Sequence, residues 1–186
     1  MSFSAAKAKI YKHAMQENLI RIHLPAAKKI IKNLMSIIYS FIGFIINFIA
    51  ILLSVSLLFS IPMLLSSPVT MLSAFMMIGV ILYSWFSLQF RRHVLQRHQT
   101  VRHTLKDWVR VNGIVTLIFS FMTIISVLSL LQNPQAFTDA LKAMGFEIPL
   151  KSVTGFFYVM LFYAVVLVIH ILWTFKLIKK HLKYFQ

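Results

Sequence analysis

His170 is the one ionisable side chain inside an apolar run, Val153–Phe175, that is otherwise long enough to cross a bilayer. A titratable group at membrane depth is a functional candidate by default, because its charged form is costly there. Tyr163 and Thr174 share its helical face and offer hydrogen-bond partners. A proton relay would chain it to further histidines or carboxylates, yet the apolar runs contain no acid. Haem ligation would need a second axial ligand, and every other histidine lies in a charged segment. The plainer reading is an imidazole near the interface, bonded to tyrosine or hydroxyl partners.

Two stripes of small and polar residues come next. Ser36, Ser40, Gly43, Asn47, Ala50 and Ser54 follow one another in steps of four and three, so one helix face carries all six. Asn112, Thr116, Ser120, Thr123 and Ser126 repeat the device later in the chain. Such side chains gain nothing from facing lipid, so both stripes are expected to face protein or water. Two readings stand: a polar path or ligand pocket between the first and third apolar helices, or close helix packing with hydroxyls bonding across, at about 0.6 kcal/mol each. The general behaviour of small residues in membrane helices favours packing.

Arg92-His93, Arg97-His98 and Arg102-His103 repeat every five residues. On one helix that step turns about 140° at 3.6 residues per turn, so the three imidazoles would point three ways and share no metal. Contact with anionic headgroups suits these segments better, through Arg91, Arg92, Arg97, Arg102, Lys179 and Lys180. Four acids in 186 residues make no paired carboxylates and no triad, and phosphate-binding glycine loops and zinc-binding His-Glu motifs are absent. Zero cysteines exclude disulfides, thiolate metal sites and cysteine nucleophiles. The expectation is a protein that is not an enzyme and uses no cofactor or metal.

The elements that must position these residues follow from hydropathy. From Asn33 to Phe90 the chain runs 58 residues without one Asp, Glu, Lys, Arg or His. About 20 apolar residues cross the ~30 Å hydrocarbon layer, so that run holds two crossings. Val111–Leu131 and Val153–Phe175 supply two more. The predicted fold is an all-α membrane protein with four transmembrane helices arranged as two hairpins. Its spans cover about residues 41–65, 69–90, 111–131 and 153–175, within a bundle of residues 34–186.

Residues 1–33 form a basic amphipathic arm in which Phe3, Ala6, Ile10 and Ala14 share a face, predicting an interfacial helix. The arm has no signal-like apolar core with a cleavage site and is expected to stay in the cytoplasm. Pro62 marks a bend, and Ser67-Pro68 reads as an N-cap with a first-turn proline. Asn133-Pro134 repeats that device, and Phe137, Leu141 and Met144 give a short helix its apolar face before Gly145 stops it. Val94, Val101, Leu105 and Trp108 fall on one stripe, predicting a helix in the link after the second span, either continuing that span or folding back along the surface. Trp85 precedes Arg91-Arg92-His93 at the spacing by which Trp173 precedes Lys179-Lys180-His181, as in any helix leaving an aromatic belt for a cationic interface.

The net charge of +15 is distributed to match. Seven Lys and Arg precede the first span, six lie between spans two and three, and four follow from Lys176. Lys142 and Lys151, between spans three and four, are balanced by Asp139 and Glu147. The excess therefore falls on one side, which is the positive-inside pattern with both termini cytoplasmic. Tied to helix ends, these charges suit anionic lipid and give no support to nucleic acid as a partner. The expected role is non-catalytic: an accessory or scaffold subunit of a membrane complex, or a homo-oligomer, whose partners are lipids and other membrane subunits or copies of itself. The alternative is a small channel, holin-like pore or transporter lined by the stripes of spans one and three. A bacterial inner membrane is the expected location, and an organellar inner membrane shows the same asymmetry.

Overall fold

The computed structural model describes Ile30, residues 34–60 and residues 68–186. The predicted arm helix, the Pro62 bend and the Ser67 cap lie outside the described residues. The chain divides into two compact units, Met1–Phe41 and Ile42–Gln186. Of the first unit, Ile30 and the opening turns of the first long helix are described.

Among the described residues, four helices are long and apolar enough to cross a membrane. They are α1 (Leu34–Ser60), α2 (Pro68–Phe90), α3 (His103–Gln132) and α5 (Leu150–Lys180), with α2 continued by a π-turn at Arg91–Gln96. At 1.5 Å per residue the longest exceed about 45 Å, so their ends project beyond a ~30 Å hydrocarbon layer. A shorter helix, α4 (Pro134–Ala143), links α3 to α5, and a 3₁₀ turn at Leu182–Tyr184 closes the chain. Each sequence-derived span lies within or overlaps one of these long helices, and the multi-pass integral membrane architecture follows from their length and composition.

The burial pattern is that of a bundle in an apolar solvent. Phe44, Phe48, Ile51 and Val55 of α1 point outward at helical spacing, as do Ile114, Ile118, Phe121 and Ile125 of α3. Phe162, Val165, Ile169 and Leu172 do the same on α5. In water such surfaces would drive association, whereas hydrocarbon leaves them at no cost. Inside, Ile46, Val80, Tyr83, Phe90, Val109, Leu167 and Ile171 form one core that joins α1, α2, α3 and α5.

Glycines set the closest approaches. A Cβ on Gly79 would stand 2.6 Å from Val115 Cγ1, so α2 lies directly on α3 there. A Cβ on Gly113 would meet the Phe175 ring at 2.8 Å, which brings α3 equally near α5. Gly79, with no sequence context to explain it, is thus a helix-packing glycine.

On the opposite end from the charged links, α4 behaves as its sequence predicts. The Asn133 side chain accepts a bond from Ala136 N–H at 3.3 Å, with Pro134 in the first turn. Gly145, at φ +87°, ends the helix in a Schellman arrangement: Phe146 N–H donates to Leu141 O and Gly145 N–H to Lys142 O. Phe137 and Leu141 pack into a second core with Val127, Val153 and Phe157. Met144, assigned to that same face, is exposed, because α4 has already ended.

The link between α2 and α3 is not the single helix that its stripe predicts, neither continuing the span nor folding back as one piece. The π-turn ends at Gln96, His98 adopts φ +53°, and residues 98–100 carry no regular structure before α3 starts at His103. The cause is a long-range partner. Val101 N–H donates to Tyr184 O, Gln186 N–H donates to Val101 O, and His103 N–H donates to Gln186 O. Phe185 stacks on Phe90 beneath this bridge. The chain end after α5 is therefore a clasp on the link.

Candidate functional site

The bundle interior holds a polar node where α1, α2 and α5 meet. His170 is 1% exposed. Its Nδ1 lies 2.9 Å from the Tyr83 hydroxyl, which donates to Thr174 Oγ1 at 3.1 Å. Thr174 in turn donates to the His170 carbonyl at 2.8 Å. Each hydroxyl has one proton, so this chain of bonds assigns the donor role at the first contact to His170 Nδ1–H. The lone pair is then on Nε2, which faces Gly43: a Cβ there would stand 3.4 Å from Nε2 and 3.1 Å from Arg91 Nη1. The missing side chain of Gly43 makes the space in which imidazole and guanidinium both approach α1.

A second set of bonds extends the node along α1. Asn47 Nδ2 donates to Gly43 O at 2.6 Å, and Asn47 Oδ1 accepts from Ser84 Oγ at 2.8 Å. Asn47 thus ties α1 to α2 at the level where α1 has no side chain. Bonded in this way, the Asn47 amide and the Ser84, Tyr83 and Thr174 hydroxyls rigidify a bundle in which leaving them unpaired would cost several kcal/mol.

The positions singled out in the sequence divide clearly. Gly43 is buried and Asn47 half-buried, and both belong to the node. Ser54 donates to Ala50 O in its own helix, and Ser40 lies half-buried on the same helix. On α3, Asn112 donates to Trp108 O, Thr116 to Asn112 O, Ser120 to Thr116 O and Thr123 to Phe119 O. Each is a bond to the carbonyl four residues earlier. The hydroxyls of α3 therefore do not bond across to α1. Asn112, Thr116 and Ser120 are buried, Thr123 is half-buried and Ser126 is exposed, so the stripe leaves the interior as it leaves the end carrying the charged links.

His170 does have Thr174 as predicted, but Tyr163 is not its partner. The Tyr163 hydroxyl makes no hydrogen bond among the described residues, and Tyr83 of α2 takes the expected place. Tyr83 stands in a run rich in aromatic residues, where nothing in its spacing separates a bonded phenol from a packing one.

The basic residues also separate. Arg92, Arg97, Arg102, Lys179 and Lys180 are exposed. Arg91, grouped with them as a headgroup contact, instead turns its guanidinium inward against Gly43. The three Arg-His pairs have three different surroundings: His93 bonds Gln99 at 3.2 Å, His98 stacks on Tyr184, and His103 meets Asp107 at 3.2 Å. Among the described residues no three His, Asp or Glu side chains are grouped to hold a metal ion. The node offers one imidazole, three hydroxyls, an amide and a guanidinium, a set suited to fixing helices and to binding a small polar group.

Compared with protein-family models, with curated proteins and with solved structures, the chain matches none.

Proposed function

We propose that this protein is a non-catalytic helical membrane subunit, acting as an accessory or scaffold within a larger assembly or in copies of itself. In this reading the four helices form two hairpins in a bacterial inner membrane, with both chain ends and the α2–α3 link on the cytoplasmic side, which the one-sided distribution of Lys and Arg supports. One observation carries the reading. Asn47, Ser84, Thr116 and Ser120 turn inward, to one another or to their own helix backbones, while the outer faces present phenylalanine, leucine and isoleucine to neighbours in the membrane.

A lined path is the weaker reading, because the α3 hydroxyls are engaged with their own carbonyls at 2.7 to 2.9 Å. Thr116 and Ser120 also have no exposed surface for water to wet. An apolar outer face with polar groups held inside suits a neighbour in the membrane, lipid or protein, and leaves little polar surface to line a path.

Purification in mild detergent, with mass spectrometry of co-eluting chains, tests the proposal. A stoichiometric membrane partner or a defined homo-oligomer is the expected result. A monodisperse monomer that conducts ions or solutes in liposomes, with flux blocked by Ser120→Trp, would refute it.

A further inference from the structure

At the junction of α2 with the link lies a cleft of ≈ 320 Å³, whose lining includes Phe86, His93, Val101, Arg102, Leu105 and Trp108. We propose that this cleft is a binding site for one anionic phospholipid, with the phosphate held at Arg102 and the acyl chains running along the aromatic wall. The proposal rests on the membrane-spanning reading of the four helices.

The site is amphipathic in the required sense. It straddles the point at which the uncharged run ends, at Phe90, and the cationic segment begins. Its apolar wall is the Phe86–Trp108 pair, stacked at 5.5 Å with 22° between the ring planes. Its lining also carries Arg102 and His93. A ligand with hydrocarbon at one end and charge at the other matches both.

The walls are held before any ligand arrives. His93 is fixed by two bonds with Gln99, one through its ring and one through its carbonyl. Val101 is fixed by the clasp, through Tyr184 O and Gln186 N at 2.8 and 3.0 Å. Trp108 stands in the second turn of α3, on regular helix. Preformed sites bind at lower ordering cost.

Charge selects the occupant. Residues 91–110 contain Arg91, Arg92, Arg97, Arg102, Lys106 and Arg110, against Asp107 alone. Asp107 faces His103. A zwitterionic lipid has the same chains but no net charge to answer this excess. The N-terminal arm, with seven basic residues and Glu17, has the wrong sign.

The test uses the full chain with Trp85→Phe and Trp173→Phe, so that Trp108 alone reports, in phosphatidylcholine nanodiscs. Phosphatidylglycerol or phosphatidylcholine brominated in the acyl chain is added as quencher. Trp108 is expected to be quenched on the order of fivefold more efficiently per brominated phosphatidylglycerol, the preference one cation confers at a membrane surface. Arg102→Gln should bring that ratio to about one, while Lys142→Gln on α4, exposed and outside the lining, should leave it in place. Equal quenching by both lipids, or a preference that survives Arg102→Gln, overturns the proposal. Resistance to alkaline extraction tests the membrane reading by itself. A chain that resists extraction without lipid preference sinks the cleft alone, and a chain released by alkali sinks both.

Discussion

Replacing Gly79 by alanine adds one methyl where α2 and α3 leave no room for it. That Cβ would lie 2.6 Å from Val115 Cγ1 and 3.3 Å from Val115 Cβ, against 3.4 Å at the near edge of ordinary contact. The obstacle is the branched stem of a valine, which on a helix has one strongly preferred rotamer and cannot swing aside. The helices themselves must therefore separate.

Overpacking of this kind costs about 1–3 kcal/mol, while alanine returns up to about 1 kcal/mol of helix propensity over glycine. With a rigid valine stem at 2.6 Å the clash falls at the middle of that range or above, about 2 kcal/mol, so a net loss of about 1 kcal/mol or more follows, measurable by sodium dodecyl sulfate titration of the folded protein in mixed micelles. Val115→Ala should relieve it, because the clashing atom is gone, so the double variant should be more stable than the sum of the single effects by about 1 kcal/mol or more. Two results would refute the reasoning: a Gly79→Ala protein as stable as the parent, or single effects that add within about 0.5 kcal/mol. The corresponding change at Gly113 meets the far edge of the Phe175 ring, which can rotate, and should cost less.

Three further outcomes follow from the bond assignments. Tyr83→Phe removes a donor to Thr174 and an acceptor for His170, and should destabilise the bundle by about 1–3 kcal/mol in the same titration, with an effect at least halved in a Thr174→Val background. Thr116→Val loses one bond to its own helix and keeps its volume, so its stability should fall by no more than about 0.6 kcal/mol, whereas a hydroxyl bridging two helices or lining a path would reveal itself in a larger loss or a changed flux. Phe185→Ala removes the ring stacked on Phe90 and should loosen the clasp, seen as faster amide hydrogen exchange at Val101 and His103 with little change in the middle of α3.

The spans were legible because hydrocarbon imposes one demand on a chain, long uninterrupted apolarity, and that demand is written residue by residue. The α4 stop was legible for a local reason too, since Asn133-Pro134 and Gly145 act on backbone within a few residues of themselves. The stripes identified real buried positions in Gly43, Ala50, Asn112, Thr116 and Ser120, but not their partners. A small residue permits a close neighbour without specifying it, and a hydroxyl one turn from a carbonyl can always bond its own helix. The node escaped for the same reason, as Tyr83 and His170 meet only after α2 and α5 pack. The link escaped because its backbone partners come from residues 184–186, a pairing that no periodicity within 91–110 can contain.

The absence of native cysteine makes single-cysteine labelling the most direct test of the central claim, that four helices cross the membrane with their basic ends on one side. In intact cells a membrane-impermeant maleimide should modify Asp139→Cys on the α4 side, and should modify Gln99→Cys and Lys183→Cys only after the membrane is opened. Labelling of Gln99→Cys or Lys183→Cys in intact cells, or protection of Asp139→Cys there, would contradict it.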